Sequence, residues 1–283
     1  MPEILVTGVY LISNIRQFFV YLSKISFYMP KIIENKLIQE FKYRESFSRE
    51  ELFEFFQHFE PDLKEGTFGW RIYDLKKRNI LKPLMRGIYT ISNKPKYKTE
   101  VSQDLLKLIK KLNNRFEDVK YCIWETSLLN EFSQHQSNKR IIIIETERDF
   151  LYSFFYKLKE IYKSDVYLTP DKRTINFYVA ESIQPIVIKK MVTRSPISKQ
   201  AEKKLKFYTP MLEKILVDVF TEDKLFYYSQ GSELVYIFEN ALTNYDINFT
   251  KLLSYAKRKG YDADIKMFLN NNMHHLVKNI IDV

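Results

Sequence analysis

Ser48 to Ser92 reads SREELFEFFQHFEPDLKEGTFGWRIYDLKKRNILKPLMRGIYTIS. Ser48 and Glu51 form an S-x-x-E capping signature for a helix carrying Leu52, Phe55 and Phe56. A short second helix is predicted around Pro61 to Lys64, with Gly66 as its stop. Thr67 opens a third, in which Phe68, Ile72 and Leu75 are spaced to face a core. Its other face is expected to show Trp70, Arg71, Asp74, Lys77 and Arg78, and Asn79 ends it. Two short apolar pieces follow, Ile80 with Leu81 and Ile88 to Ile91. They flank a hairpin tip that carries Lys82 and Arg86. Three helices followed by a basic hairpin is the order of a winged helix-turn-helix, which sets one helix in the DNA major groove and a wing over neighbouring phosphates.

Charge follows the same pattern. Thr67 to Lys98 holds nine Lys or Arg and one acid, Asp74, and seven of the nine lie from Arg71 to Lys94. Cations on a helix and hairpin suit a phosphate backbone, to which they add affinity rather than sequence preference. The competing reading is a solvated basic helix in a chain that is basic overall, with a net charge of +10.

The 283 residues suggest about two domains at the usual ~100–200 residues each. Aromatic residues make up 16% of the chain and only six residues are Gly, which excludes a disordered chain. A single cysteine, Cys122, excludes an internal disulfide and a cysteine-based zinc site, and fits a reducing cytoplasm. It sits in an apolar run and reads as a buried structural thiol. The first 28 residues are apolar and aromatic but carry Arg16 and Lys24. Their longest uncharged run, Ile4 to Ile15, is shorter than the ~20 residues of a membrane helix. Translation from Met29 is expected, with an amphipathic surface helix and then a membrane anchor as alternatives.

The predicted domains are therefore 29–94, a winged helix, and 99–283, a mixed α/β domain ending in a helical bundle, an α+β chain overall. Asn93 to Thr99 is the linker. Beyond it, Val101 to Leu112 has helical spacing, Val119 to Trp124 reads as a strand, and Thr126 to about Gln134 as a helix. Arg140 to Thr146 (RIIIIET) is a strand buried on both faces. Asp149 to Tyr162 is a helix with an aromatic face. Val166 to Leu168, Thr174 to Val179 and Pro185 to Lys189 are strand candidates. Thr209 and Pro210 read as a helix start. Ser232 and Asn248 start further helices, and Gly260 stops the latter. Asp262 to Asn270 is a short last helix before a frayed tail. Ile188 to Lys206 holds seven Lys or Arg against Glu202, while Thr209 to Asn248 holds seven acids against two lysines. Lys189, Lys190, Arg194 and Lys199 are candidates for a second basic surface beside an acidic bundle. Ordinary solvated surfaces are the alternative.

Catalytic signals are sparse. No phosphate-loop or dinucleotide glycine pattern occurs. His58, His135, His274 and His275 lack metal-ligand spacing, and there is no nucleophile elbow. No catalytic residue, metal or cofactor is expected. Glu125, Glu145 and Glu147 end strand candidates, so a metal-dependent nuclease- or nucleotidyltransferase-like enzyme steered to DNA is kept as the alternative. A plain protein-interaction module using the acidic helices is a third reading.

The chain resembles the AbiEi-type antitoxins of type IV toxin–antitoxin systems and a related uncharacterised bacterial family. The resemblance rests on Thr67 to Leu81 and the Arg86-Gly87-Ile88-Tyr89 wing. It continues in Tyr121 to Phe132 (YCIWETSLLNEF), Thr209 to Asp218 (TPMLEKILVD) and Gln230 to Tyr245 (QGSELVYIFENALTNY), spanning roughly residues 35 to 270. It implies an autorepressor that binds its own promoter as double-stranded DNA. It also implies an antitoxin opposing a nucleotidyltransferase toxin without a stable complex, in phage defence or plasmid maintenance. Arg71, Lys77, Arg78 and Arg86 inherit the DNA-contacting role from it. Thr67, Trp70 and Lys82 complete the candidate surface from their places on the helix and wing.

Overall fold

The first described helix, α1 (Lys31–Phe41), buries Ile33, Leu37 and Phe41 on one face. A computed structural model describes residues 29–91, 94–162, 165–202 and 205–281. The expectations for residues 1–28 fall outside the described residues. The chain forms two units that divide between Ser92 and Asn93, and each is taken by itself.

In the N-terminal unit, α1 leads into a two-residue strand, β1 (Phe47–Ser48), and then α2 (Arg49–Phe59). The Ser48 hydroxyl accepts the Glu51 amide at 3.1 Å, and the Glu51 carboxylate accepts the Ser48 amide at 2.7 Å. This is the capping box the sequence predicts, and it satisfies two backbone donors at the helix start. The predicted helix at Pro61 to Lys64 is instead a turn, closed by Leu63 N–H donating to Glu60 O at 3.0 Å. Proline supplies no amide donor there, and four residues give a helix too few bonds to sustain itself. The next helix, α3 (Glu65–Lys77), starts two residues before Thr67 and contains Gly66. Asn79 ends it in the left-handed region at φ 58°, a conformation Asn tolerates better than most residues. Strands β2 (Lys82–Met85) and β3 (Ile88–Thr90) form the hairpin, and β1 pairs with β3 to give the sheet order β1-β3-β2. Pro83 is tolerated because β2 is the edge strand. Phe41, Phe47, Phe55, Phe56 and Phe68 fill the core beneath these elements.

The second unit is built on a six-stranded mixed sheet. Helix α4 (Gln103–Phe116) is capped by the Ser102 hydroxyl. Strands β4 (Tyr121–Glu125) and β5 (Ile142–Thr146) run antiparallel at the centre. Two turns of tighter helix, Thr126–Glu131, follow β4. Helix α5 (Leu151–Ile161) precedes β6 (Val166–Leu168), and β7 (Ile186–Lys190) lies parallel to both β5 and β6. Strands β8 (Ile197–Glu202) and β9 (Leu205–Pro210) form a hairpin, with β9 parallel to β4. The order is β6-β7-β5-β4-β9-β8. All five residues of β5 are buried, as the isoleucine run predicts. Ile142 and Ile144 meet α4 and α5 on one face, where Phe116 stacks on Phe154 with ring centroids 4.0 Å apart. Ile143 and Glu145 point to the other face.

That other face is covered by a helical bundle: α6 (Leu212–Thr221), α7 (Ser232–Asn244), α8 (Phe249–Lys259) and α9 (Asp262–Ile281). Asn248 caps α8 through the Lys251 amide, and Gly260 ends it at φ 84°, both as predicted. Three local expectations fail. Thr174 to Val179 is helical: Lys172–Thr174 runs into a wide turn, Ile175–Val179. Ile175 and Val179 face inward while Phe177 is exposed. Thr209 and Pro210 end β9, and α6 begins after Met211. The basic stretch before them is divided among the end of β7, the residues after it, and the paired strands β8 and β9. The predicted frayed tail is part of α9, kinked at Met273, because Met273, Val277 and Ile280 are buried. No helix among the described residues is long and apolar enough to cross a membrane.

Replacing Ser48 with Ala is expected to destabilise the N-terminal unit by ~1 kcal/mol. Trp70 is the only tryptophan of that unit, so its fluorescence in a Trp124→Phe background reports the urea midpoint; an unchanged midpoint removes the capping account.

Candidate nucleic-acid interface and a buried charge cluster

Helix α3 divides its residues between core and surface in a way the sequence shows only in part. Phe68, Ile72 and Leu75 are buried as expected. Arg71 is buried too, with 3% of its surface exposed, and is withdrawn from the expected DNA-contacting set. It lies three residues after Phe68 and four before Leu75, in the middle of the inward stripe. Its Nη2 donates to both oxygens of Glu60, at 3.0 and 2.8 Å, and its guanidinium lies 5.6 Å from the centre of the Phe56 ring. Nε and Nη1 are buried without a hydrogen-bond partner.

The outward face is aromatic and basic. Trp70 and Tyr73 are 50% and 57% exposed, with ring centroids 6.2 Å apart. Lys76 and Lys77 are exposed one turn later. Tyr73 and Lys76 escaped the sequence reading, although Tyr73 lies three residues after Trp70 and Lys76 three after Tyr73, which puts them on the same face. Thr67 is half-buried in the first turn. Arg78 is committed to ion pairs, at 2.7 Å to Glu34 on α1 and 2.8 Å to Asp74. That pairing also occupies the one acid of this face.

At the hairpin, Gly87 adopts φ 79°, which permits the tight return from β2 to β3. Its carbonyl accepts the Arg49 amide at 2.8 Å, pinning the turn to the start of α2. Arg49 in turn holds Glu65 at the start of α3, at 2.6 Å. Arg86 is exposed at the turn, and Lys82 is half-buried on β2. Lys76, Lys77 and Arg86 have no ion-pair partner among the described residues.

In the second unit the expected basic surface is broken up. Lys190, Arg194 and Lys199 are exposed, but Lys189 is drawn into the interior. It lies 3.0 Å from Glu145 on β5 and 2.6 Å from Glu222 just beyond α6. Lys214 is completely buried, 2.6 Å from Glu145 Oε2 and bonded to Asp218 one turn along α6. The Glu145–Lys214 contact lacks hydrogen-bond alignment and acts through charge. Lys259 of α8 reaches Asp218 at 2.7 Å and also pairs with Glu222, while the Tyr255 hydroxyl donates to Asp218 at 2.9 Å. Three ammonium groups thus face three carboxylates. Basic and acidic stretches expected to flank a surface meet inside the fold.

Burial would lower the Lys214 pKa and raise that of Asp218, and in both cases the opposite charges outweigh it. Asp218 and Glu145 hold Lys214 well above its ordinary value. Lys214, Lys189 and Lys259 hold Asp218 far below the usual carboxylate range. Lys189 is raised by the same balance, against its own burial. Cys122 is buried beside this cluster, which pushes its thiol up and fits the inert role read from sequence.

The strand-end acids do not converge. Glu125 is paired with Arg140, Glu145 belongs to the cluster, and Glu147 is exposed. Among the described residues no three or more His, Cys, Asp or Glu side chains are grouped to hold a metal ion. Residues 67–275 match a protein family of unknown function, DUF6577, and the chain belongs to that family. No curated protein matches the chain.

Asp218→Asn is expected to cost the second unit ~3–5 kcal/mol at pH 7, because it leaves buried ammonium groups underpaired. The wild-type contribution is complete above the ordinary aspartate pKa of about 4 and is lost as pH falls toward the depressed folded value. The stability gap between wild type and variant should therefore narrow below about pH 4. Urea titrations at neutral and acid pH, followed by Trp124 fluorescence, measure it; a gap independent of pH contradicts the ion-pair account.

Proposed function

We propose that the N-terminal unit is a winged helix-turn-helix that binds double-stranded DNA, and that the chain is a transcriptional autorepressor with antitoxin activity. One observation carries the DNA-binding part. The unit runs helix, strand, helix, helix, hairpin, with β1 closing onto β3, and its last helix and hairpin turn both present unpaired cations. In this reading α3 enters the major groove with Trp70, Tyr73, Lys76 and Lys77 outward, and Arg86 reaches an adjacent phosphate. Lys82 and Thr67 flank that surface, and Arg78 orients the end of α3 through Glu34 and Asp74. Arg71 supports the helix from inside.

The antitoxin part, against a nucleotidyltransferase toxin, rests on the resemblance of the segments in both units to the AbiEi type. The enzymatic alternative needs carboxylates that converge on a metal. The pairing of Glu125 with Arg140 and of Glu145 with Lys189 and Lys214 favours a binding protein over it.

The test is a titration of the full chain against a duplex from its own upstream region and a scrambled duplex, at several salt concentrations. Preference for its own duplex is expected. Lys77→Ala and Arg86→Ala should weaken binding and each reduce the salt slope by about one. Arg71→Met should lower stability and leave the salt slope alone. Equal binding to both duplexes, or unchanged affinity in Lys77→Ala and Arg86→Ala together, overturns the proposal. Co-expression with a nucleotidyltransferase encoded beside it tests the antitoxin part separately.

A further inference from the structure

The second unit has a cavity of about 330 Å³ between β6, β7 and the C-terminal turn of α6. Its volume lies at the lower end of the roughly 300–1,000 Å³ range of small-molecule pockets. It opens where the parallel strands β6 and β7 end, and carboxyl ends of parallel strands are where open α/β sheets bind ligands. The residue that turns the chain out of β6 into this cavity is Thr169, at φ 44°. A β-branched side chain strongly disfavours that conformation. The turn is held by the Thr169 amide, which donates to Ile188 O at 2.8 Å. Backbone strain of this kind concentrates at ligand sites, where the surrounding structure fixes it.

The lining states what chemistry would fit. Ile175, Val187 and Leu225 give a buried apolar floor. Five charged side chains complete it: Lys172, Lys189, Lys224, Glu222 and Asp223. Lys189 is paired with Glu222, and Lys224 with Asp223. Lys172 remains, exposed at the rim, with no ion-pair partner among the described residues. The lining therefore carries one unbalanced positive charge over an apolar floor. The wall behind it is rigid, because Lys189 and Glu222 are also tied to Glu145 and Lys259. A wall already fixed by charge pairs loses little freedom when a ligand enters.

We propose that this cavity binds a small organic anion with an apolar body and a single negative headgroup, seated on Ile175, Val187 and Leu225 and held at the rim by Lys172. The site lies in a different unit from the surface assigned to DNA, and stands or falls independently of it. The dye anilinonaphthalene sulfonate has this chemistry, an aromatic body with one anionic group, and it fluoresces when bound in an apolar site. Titrated into the full native chain, it should show saturable one-to-one binding. Lys172→Glu should weaken that binding by roughly tenfold or more, and Lys172→Arg should retain it. Thr221→Trp, at a half-buried lining position, should abolish it by filling the cavity. Far-ultraviolet circular dichroism and thermal melting check that each variant is folded; if Thr221→Trp is not, the Lys172 pair decides alone. Absence of saturable one-to-one binding overturns the proposal. So does a folded Lys172→Glu or Thr221→Trp chain that binds the dye as tightly as wild type.

Discussion

Lys214 has no exposed surface, and an ammonium group in that position must be met by carboxylates or the fold cannot form around it. Asp218, one turn along α6, supplies the first. Glu145 supplies the second and belongs to the central strand of the sheet. This requirement sets the register of α6 against β5. Rotating the helix by one residue, ~100°, would swing Lys214 away from Glu145. The same logic reaches outward through Lys189 on β7, Lys259 on α8 and Glu222 after α6. Hydrophobic burial is larger in total and makes the sheet and bundle adhere, but it is tolerant of small rotations. The charge pairs are not, so they select one arrangement among the packings that apolar contact would allow.

The N-terminal unit applies the same constraint on a smaller scale. Arg71 sits in the apolar stripe of α3, where its guanidinium needs Glu60, the residue that ends α2. The pair fixes how the two helices meet across the turn at Pro61. A second pair, Arg49 with Glu65, links their starts, and the Arg49 amide holds the hairpin turn through Gly87. With Arg71 and Arg49 committed to carboxylates, the cations left on the outer face of α3 and on the hairpin turn are those the proposed DNA surface draws on. Arg71 and Lys77 lie on one helix and carry the same charge, yet only the second has access to a ligand.

Much of the fold was legible because its causes are local. Ser48 with Glu51, Asn248 and Gly260 cap or end helices through atoms within four residues of themselves. The run of isoleucines in β5 announces burial on both faces. The failures also have local causes. Ile175 and Val179 are four apart, a spacing that strands and helices share, and Phe177 between them made the pattern look like alternation. Pro210 suits either the first residue of a helix or the last of a strand. The β8 strand carries mostly polar side chains, so it is recognisable only through its backbone pairing with β9. The Asn and His residues before Val277 concealed an apolar stripe at 273, 277 and 280.

The candidate sites divide along the same line. The sequence by itself determined the helix ends at Ser48, Asn248 and Gly260, the central strand, the hairpin after α3 and the surplus of cations on that helix and hairpin. These follow from backbone donors, side-chain size and composition over short windows. Only the tertiary structure decided which charges are exposed. Lys189 and Lys214 look like their neighbours in the sequence, but their carboxylate partners include residues dozens of positions away, so nothing local marks them as buried. The cavity beside Lys189 is a product of the same assembly. Its strained Thr169, its one unbalanced lysine and Ile175 share one short segment, but the rest of its floor, Val187 and Leu225, comes from β7 and from beyond α6, and these become neighbours only when the sheet and the bundle close on each other.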